Sequence, residues 1–463
     1  MKPLLRALVL CLFASVLHAA APALPNILLI VSDDQGWPDL GCIGSKPIRT
    51  PTLDRLAAEG VRATSFYVTW PACTPSRGSI LTGRYPQRNG LYDMVRNDMT
   101  NYGHQFTPDE YAVSPEMTLG LDVQEKTLGN LLGDKYERGV VGKWDMGQAR
   151  RYLPLQRGFD FFYGIGNNGI DYYTHERYGV HSMFRGNERT KDHLGTYATD
   201  AFEQEALRFI KASTKPWLLY LCFNAPHSAS SFGADPKDKK DRVGVQCPKE
   251  YADAYKDTIP DEKLRRYYGA VTRMDEAIGR IMSQIEAKGQ KQNTLTLFMS
   301  DNGGSGNGGN APLKGSKSTM WEGGLRVPFI AHWPAQLPAG RTTDEFLTSL
   351  EILPTIQTIT DTTFRSETQL DGFDMLPVLK GQRGSQRKHM FWQRRSDIAA
   401  RVGSWKWVKS AKGGGLFNLA EDLGETTDLS KQAPDKLAEL QAAWNQWRQE
   451  MDQTPPRGPF RDY

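Results

Sequence analysis

Three continuous apolar runs limit what this chain can fold into: Asn26-Ile-Leu-Leu-Ile-Val-Ser32, Trp217-Leu-Leu-Tyr-Leu-Cys-Phe223 and Thr294-Leu-Thr-Leu-Phe-Met-Ser300. They are strand-length, and they read as strands buried on both faces of a mostly parallel sheet between helices. Each stops at residues able to do chemistry: Asp33-Asp34, Asn224-Ala-Pro-His227 and Asp301-Asn302. One acid after a strand is ordinary, because Asp and Asn begin turns. Three such endings form a pattern, because ligands of open α/β sheets gather at the carboxyl ends of the strands.

The rest of the pattern supplies the covering elements. Thr50-Pro51 predicts an N-cap and first position of a helix running to Glu59, with a stop at Gly60. A strand is expected over 61–68, a helix over 127–132 and a short strand and loop over 139–147. Further helices are expected over 196–212, 261–287 and 348–360, with a strand over 327–332. Residues 167–195 lack a period and read as a surface excursion. The polar stretch 228–260 reads as an inserted loop. Beyond Gly381 the character changes: strands over 398–408 and 416–419 predict a small antiparallel sheet, followed by an amphipathic helix over 436–450. The expected division is a signal segment 1–21, a catalytic domain 22–381 and a small C-terminal domain 382–463.

The signal reading rests on Lys2 and Arg6 before the apolar stretch Ala7 to Val16, then Ala19-Ala20-Ala21 as a cleavage site. That stretch is too short to span a bilayer, and no later one reaches about 18 apolar residues. The expected location is the periplasm or the exterior, without stable membrane insertion. Removing Lys2 and Arg6 lowers the formal charge from +4 to +2, and no basic block stands out, so nucleic acid is not an expected partner. Of five cysteines, Cys11 falls in the signal. One pair among Cys42, Cys222 and Cys247 is open, and spacing does not say which.

The chemistry centres on Cys73-Thr-Pro-Ser-Arg77, continued by Gly78-Ser-Ile-Leu-Thr-Gly-Arg84. Arg77 stands about one helical turn after Cys73 and can face the same space. Lys143 and Lys317 follow glycine-punctuated segments. Asp33, Asp34, Asp301 and Asn302 offer hard oxygen ligands, which suit Ca²⁺, or Mg²⁺ as second choice. An anionic ester held between such a cation and Arg or Lys side chains has its developing charge stabilised.

These motifs, together with Val31-Ser-Asp-Asp-Gln-Gly36, Gly142-Lys-Trp144 and Trp321-Glu-Gly-Gly324, resemble the ordered motifs of the type I sulfatases across nearly the whole mature chain. The resemblance implies an α/β fold of the alkaline-phosphatase-like class. Its parts would be a sandwich around a large mostly parallel sheet and a smaller C-terminal antiparallel sheet with a helix. It implies that a maturing enzyme oxidises Cys73 to formylglycine, whose hydrated aldehyde is the nucleophile. It implies calcium on Asp33, Asp34, Asp301, Asn302 and residue 73, with Arg77 orienting the hydrate. Lys143, His227 and Lys317 would hold sulfate, and either His227 or Lys317 would protonate the leaving alcohol.

One position departs from the family. Asp145 follows Lys143-Trp144 where the family commonly has histidine. A carboxylate can accept the same hydrogen bond and act as a base; His104, His175, His181 and His193 are possible substitutes. A phosphoester or phosphonate hydrolase of the same superfamily is the nearest alternative, although two-zinc members carry histidine where Asn302 stands. A non-catalytic binder of sulfated glycans, with Cys73 unmodified, is the alternative from another class. Export, with Tyr172, Tyr173, Trp321 and Trp392 as stacking platforms, points to a sulfated polysaccharide or oligosaccharide; a small aryl sulfate is the second substrate reading.

Overall fold

The computed structural model describes residues 24–95, 119–231, 243–306, 308–364 and 368–455. The signal segment and His104 lie outside them. All three apolar runs are strands, Asn26–Ser32, Trp217–Cys222 and Thr294–Ser300. They sit side by side in a ten-stranded sheet. Five neighbouring strands run parallel, in the order Thr294–Ser300, Asn26–Ser32, Trp217–Cys222, Glu137–Lys143 and Phe161–Ile165. Phe329–His332 continues one side antiparallel, and Met183–Arg185 continues the other antiparallel.

Pleating explains the continuous hydrophobicity. Ile27, Leu29 and Val31 enter one core, while Leu28 and Ile30 enter the core on the opposite face. The second core is closed by helices Pro51–Ala58, Ala198–Ala212 and Glu262–Ala287 through Leu53, Phe202 and Ile278. The first is closed partly by helix Cys73–Thr82 through Ile80 and Leu81, and by helix Ile352–Ile359 through Ile352, Leu353 and Ile356. Each such side chain fully buried stabilises the fold by roughly 1.5–3 kcal/mol before entropy is charged against it.

Several local expectations change. The expected strand over 61–68 bends at Thr64-Ser65 into Val61–Ala63 in the large sheet and Phe66–Tyr67 paired with Leu347–Thr348. Thr50 does not cap its helix by side chain. Its hydroxyl donates to Asp54 at 3.1 Å, while Asp275 of the long helix accepts from the Thr52 and Leu53 amides at 2.9 and 2.8 Å. Residues 167–195 form a surface excursion only in their second part: Ile170, Tyr172, His175, Arg177 and Met183 are buried, whereas residues 185–195 are exposed or half-buried. The four described cysteines are free, so no pair forms among Cys42, Cys222 and Cys247.

The C-terminal sheet has four antiparallel strands, His389–Arg394, Asp397–Val402, Trp405–Ser410 and Gly413–Asn418. The span 398–408 is thus a hairpin turning at Gly403, whose φ is +58°, and the first strand had no sequence prediction. Helix Pro434–Asp452 packs on this sheet, and Met390, Trp392 and Phe417 share a core with Tyr67, Trp321 and Leu325. Trp392 Nε1 donates to the Val68 carbonyl at 2.8 Å, and Trp70 Nε1 to that of Gln393 at 3.0 Å. The sheet thereby grips the segment that leads into Cys73.

Candidate active site

Cys73 is the first residue of a ten-residue helix buried along its length, where unpaired backbone amides favour negative charge. The helix stops at Gly83, in the left-handed conformation at φ +64°. Arg77, one turn on, is fully buried: its Nε donates to Asp301 Oδ2 at 2.8 Å and its Nη1 to the Lys143 carbonyl at 3.0 Å. The guanidinium therefore ties the helix to two strand ends.

Around the thiol the strand-end residues converge. Lys317 Nζ donates to Cys73 Sγ at 3.2 Å and lies 2.6 Å from Asp34 Oδ1. Lys143 Nζ lies 2.6 Å from Asp33 Oδ2, and Asp33 Oδ1 is 3.6 Å from Cys73 Sγ. Asn302 Nδ2 donates to Asp34 Oδ1 at 2.8 Å, and the Asp34 amide donates to Asp301 Oδ1 at 3.2 Å. The segment after Lys317 is pressed against the Asp301-Asn302 strand end: a Cβ on Gly303 would stand 1.8 Å from the Gly323 carbonyl oxygen. Asp34, Asp145 and Ser318 all adopt positive φ, at 63, 58 and 68°. Such backbone costs energy and persists where the surroundings enforce it, commonly at functional sites.

Burial pushes the Asp33 carboxyl up to about 8, with Lys143 opposing and Asp301 and Asp34 adding to the rise. Burial acts alike on Asp34, but Lys317, His227 and Lys143 together hold that carboxyl below the usual range. The Cys73 thiol is pushed up by burial, against Lys143 and Lys317, so a thiolate is disfavoured. Burial lowers His227 to about 3, with Lys317 and Lys143 adding to the fall against Asp34.

Asn302 Oδ1 is a buried acceptor with no hydrogen-bond partner among the described residues. Asp33, Asp34 and Cys73 offer ligand atoms all within 4.8 Å of one another. An orphaned amide oxygen beside three carboxylates fits a hard divalent cation. His227 Nδ1 lies 2.5 Å from the Ser228 carbonyl, and its Nε2 3.7 Å from Asp34 Oδ2. Only an N–H can face a carbonyl oxygen, so the neutral ring carries its proton on Nδ1 and presents Nε2 as a lone pair. Asp145 Oδ2 is 3.8 Å from Lys143 Nζ, which brings the departing position into the cluster.

All ten candidate residues meet in one cleft. The aromatic platforms do not: Tyr172, Trp321 and Trp392 are buried, and Tyr173 is half-buried. Tyr172 instead holds the histidine turn, its hydroxyl lying 2.8 Å from both the Asn224 and His227 carbonyls. That supporting role had no signal in the sequence beyond an aromatic residue in an aperiodic stretch. His175, His181 and His193 do not substitute at the cleft; they engage Thr196, Thr190 and Glu205.

A model of the sulfatase family matches residues 25–362. N-acetylgalactosamine-6-sulfatase of Canis lupus familiaris is 32% identical over 429 residues, covering 87% of this chain and 76% of that protein. Arylsulfatase A of Homo sapiens is 32% identical over 420 residues, covering 87% and 77%. The crystal structure of Ps i-CgsB in complex with k-i-k-neocarrahexaose aligns with a TM-score of 0.78 at 29% identity, over 92% of each chain. With this family match spanning most of a chain whose strand ends hold the cleft just described, the protein belongs to the sulfatase family and is a sulfuric ester hydrolase.

Proposed function

We propose that the cleft removes sulfate from a sulfated polysaccharide or oligosaccharide, using residue 73 after its maturation from cysteine to formylglycine. The observation that carries this reading is the convergence of Lys317, Lys143 and Arg77 on the Cys73 end of one buried helix, beside four oxygen ligands. The matured residue, as an aldehyde hydrate, supplies one hydroxyl to attack sulfur and a second that lets sulfate be expelled. A hard cation, Ca²⁺ in preference to Mg²⁺, would sit on Asp33, Asp34, Asp301, Asn302 and residue 73 and would neutralise charge on the sulfate oxygens.

The chain's own residues do the rest. Arg77 orients residue 73 through the helix turn, and Lys143, His227 and Lys317 hold the sulfate. Either Lys317, which already carries a proton, or His227, whose neutral ring would first take one from water at Nε2, gives the proton that releases the alcohol. Asp145 stands in for the family histidine as hydrogen-bond acceptor and base, its charge offset by Lys143 at 3.8 Å. Export through residues 1–21, action in the periplasm or outside the cell, and a separate C-terminal domain over 382–463 belong to the same proposal.

The sulfated-sugar relatives support the carbohydrate substrate, and arylsulfatase A keeps aryl sulfates as the second reading. The test is sulfate release from a panel of sulfated glycans and from 4-nitrophenyl sulfate, by protein produced with a sulfatase-maturing enzyme. Peptide mass spectrometry at residue 73 and metal analysis are run on the same sample. Expected are an aldehyde at residue 73, one calcium per chain and release from at least one glycan. Turnover of the aryl sulfate alone overturns the carbohydrate reading, and activity with an unmodified Cys73 overturns the nucleophile.

A further inference from the structure

Seven of the chain's eleven tryptophans are buried. Of the four that remain half-buried, Trp405, Trp407 and Trp444 belong to the C-terminal sheet and its helix. Trp407 and Trp444 both line a groove of about 570 Å³ between helix Pro434–Asp452 and the outer strands. That volume falls in the ~300–1,000 Å³ range of small-ligand sites. Alternation places Trp407 and the exposed Lys409 on the sheet face opposite Lys406 and Val408, so the groove opens away from the body on which Lys406 is anchored. On the helix, Gln441, Trp444 and Asn445 share one face by their spacing of three and four.

Three features suit this groove to sugar. Among the described residues, the Trp407 indole makes no hydrogen bond or ring contact, while Trp444 is fixed by its Nε1 donating to the Trp392 carbonyl at 3.3 Å. The edge strand beside Trp407 begins Gly413-Gly414-Gly415, and a Cβ on Gly413 would meet nothing within 4 Å. Gly413 and Gly414 pair with Ser410 and Lys409, so the run leaves the strand beside Lys409 without side-chain cover, while Leu416 is the residue paired with Trp407. Indole faces accept the apolar face of a pyranose ring, and the Gln441 and Asn445 amides offer donors and acceptors to hydroxyls. Lys409 adds a hydrated ammonium, the group that attracts a sulfate ester.

We propose that this groove is a non-catalytic binding site for an anionic oligosaccharide, gripping a sulfated glycan chain on the C-terminal sheet. The site stands on its own residues; its service to catalysis rests on the sulfated-glycan reading of the cleft. Affinity electrophoresis of the full chain through gels containing chondroitin 6-sulfate or kappa-carrageenan, with unsulfated dextran as control, tests it. The sulfated gels should retard the wild type, and W407A/W444A should weaken retention at least tenfold while kcat/KM on 4-nitrophenyl sulfate stays unchanged. Lys409→Glu, a single exposed change, should weaken retention several-fold without moving the unfolding midpoint, so the test survives a double variant that fails to fold. Retention lost on Lys317→Ala but kept in both groove variants puts all binding in the cleft and overturns the proposal. Equal retention by dextran overturns its anionic part, and a concentration-dependent dimer abolished by W407A/W444A overturns the glycan as occupant. Groove-dependent retention without any desulfation of the glycan leaves the site standing and rejects only the carbohydrate reading of the cleft.

Discussion

Two clusters of buried charge lie on either side of the Lys317 loop, and they are built to opposite rules. Beneath the C-terminal sheet, Lys406 Nζ sits 2.9 Å from Glu322 and 2.8 Å from Glu425, all three fully buried. Glu425 also accepts from the Glu322 amide at 2.7 Å, and Tyr67 and Arg326 complete Glu322 at 2.6 and 3.3 Å. In the cleft the same kinds of side chain leave an amide oxygen orphaned and hold three non-glycine residues at positive φ. A buried polar network that is closed on itself makes structure, whereas one with an open valence waits for a ligand. The two should therefore fail differently when cut.

The largest expected effect is on the open cluster. Cys73→Ala should reduce turnover of matured enzyme by at least ~10⁴-fold, and Lys317→Ala by ~10²–10³-fold. Neither should lower the urea midpoint. Residual turnover above about 1% in Cys73→Ala rejects that residue as nucleophile, and a lowered midpoint in Lys317→Ala makes that lysine a structural group like Lys406.

The next effect belongs to the closed cluster. Lys406→Ala leaves two carboxylates buried without their shared cation, and such a cut typically costs about 3–5 kcal/mol. Urea unfolding should show that loss, while kcat/KM of the folded fraction stays within a few-fold. Lost activity at unchanged stability reverses the contrast: the network would then be a positioning device for the Lys317 loop.

The difference between the clusters was only half legible in the sequence. The cleft could be read because its residues stand at fixed places in short segments: acids after apolar strands, Arg77 one turn beyond Cys73, Lys143 closing a strand. Strand pairing then assembles them, since parallel neighbours bring their carboxyl ends to one edge. The closed network had no such signature. Glu322, Lys406 and Glu425 come from a short helix, a strand and a loop, Glu322 standing 84 residues before Lys406 and 103 before Glu425, and nothing local marks any of them for burial. The same limit misplaced Tyr172, Trp321 and Trp392, because an aromatic residue in sequence does not say which neighbour will cover it. Asp145 was visible as a departure, and the structure adds its positive φ and its 3.8 Å distance to Lys143.

The smallest effect separates the clusters by pH. Burial raises Glu425 from 4.5 to about 7, with Lys406 opposing and Glu322 adding to the rise. Burial alone would raise Glu322 too, but Lys406, Arg326 and Arg401 hold it down to about 2. The folded network therefore keeps one proton on Glu425 at pH values where the unfolded chain has lost it. A raised carboxyl contributes stability that is full below about pH 4.5 and is lost as pH climbs through 7. Glu425→Gln imitates the protonated group and does not titrate, so it should match the wild type near pH 5 and exceed it near pH 8.5. The rise from 4.5 to about 7 converts, at ~1.36 kcal/mol per pH unit, to an upper bound of about 3 kcal/mol. The expected gain is nearer 1 kcal/mol, because the new amide has to turn its oxygen to the Glu322 N–H and leave Lys406 to Glu322 alone. Taking the difference between variant and wild type at each pH cancels the titration of the cleft carboxylates, which both proteins share. A Gln variant as far below the wild type at pH 5 as at pH 8.5 would mean that Glu425 is already ionised in the fold at pH 5, and that the network is closed by charge alone without a proton.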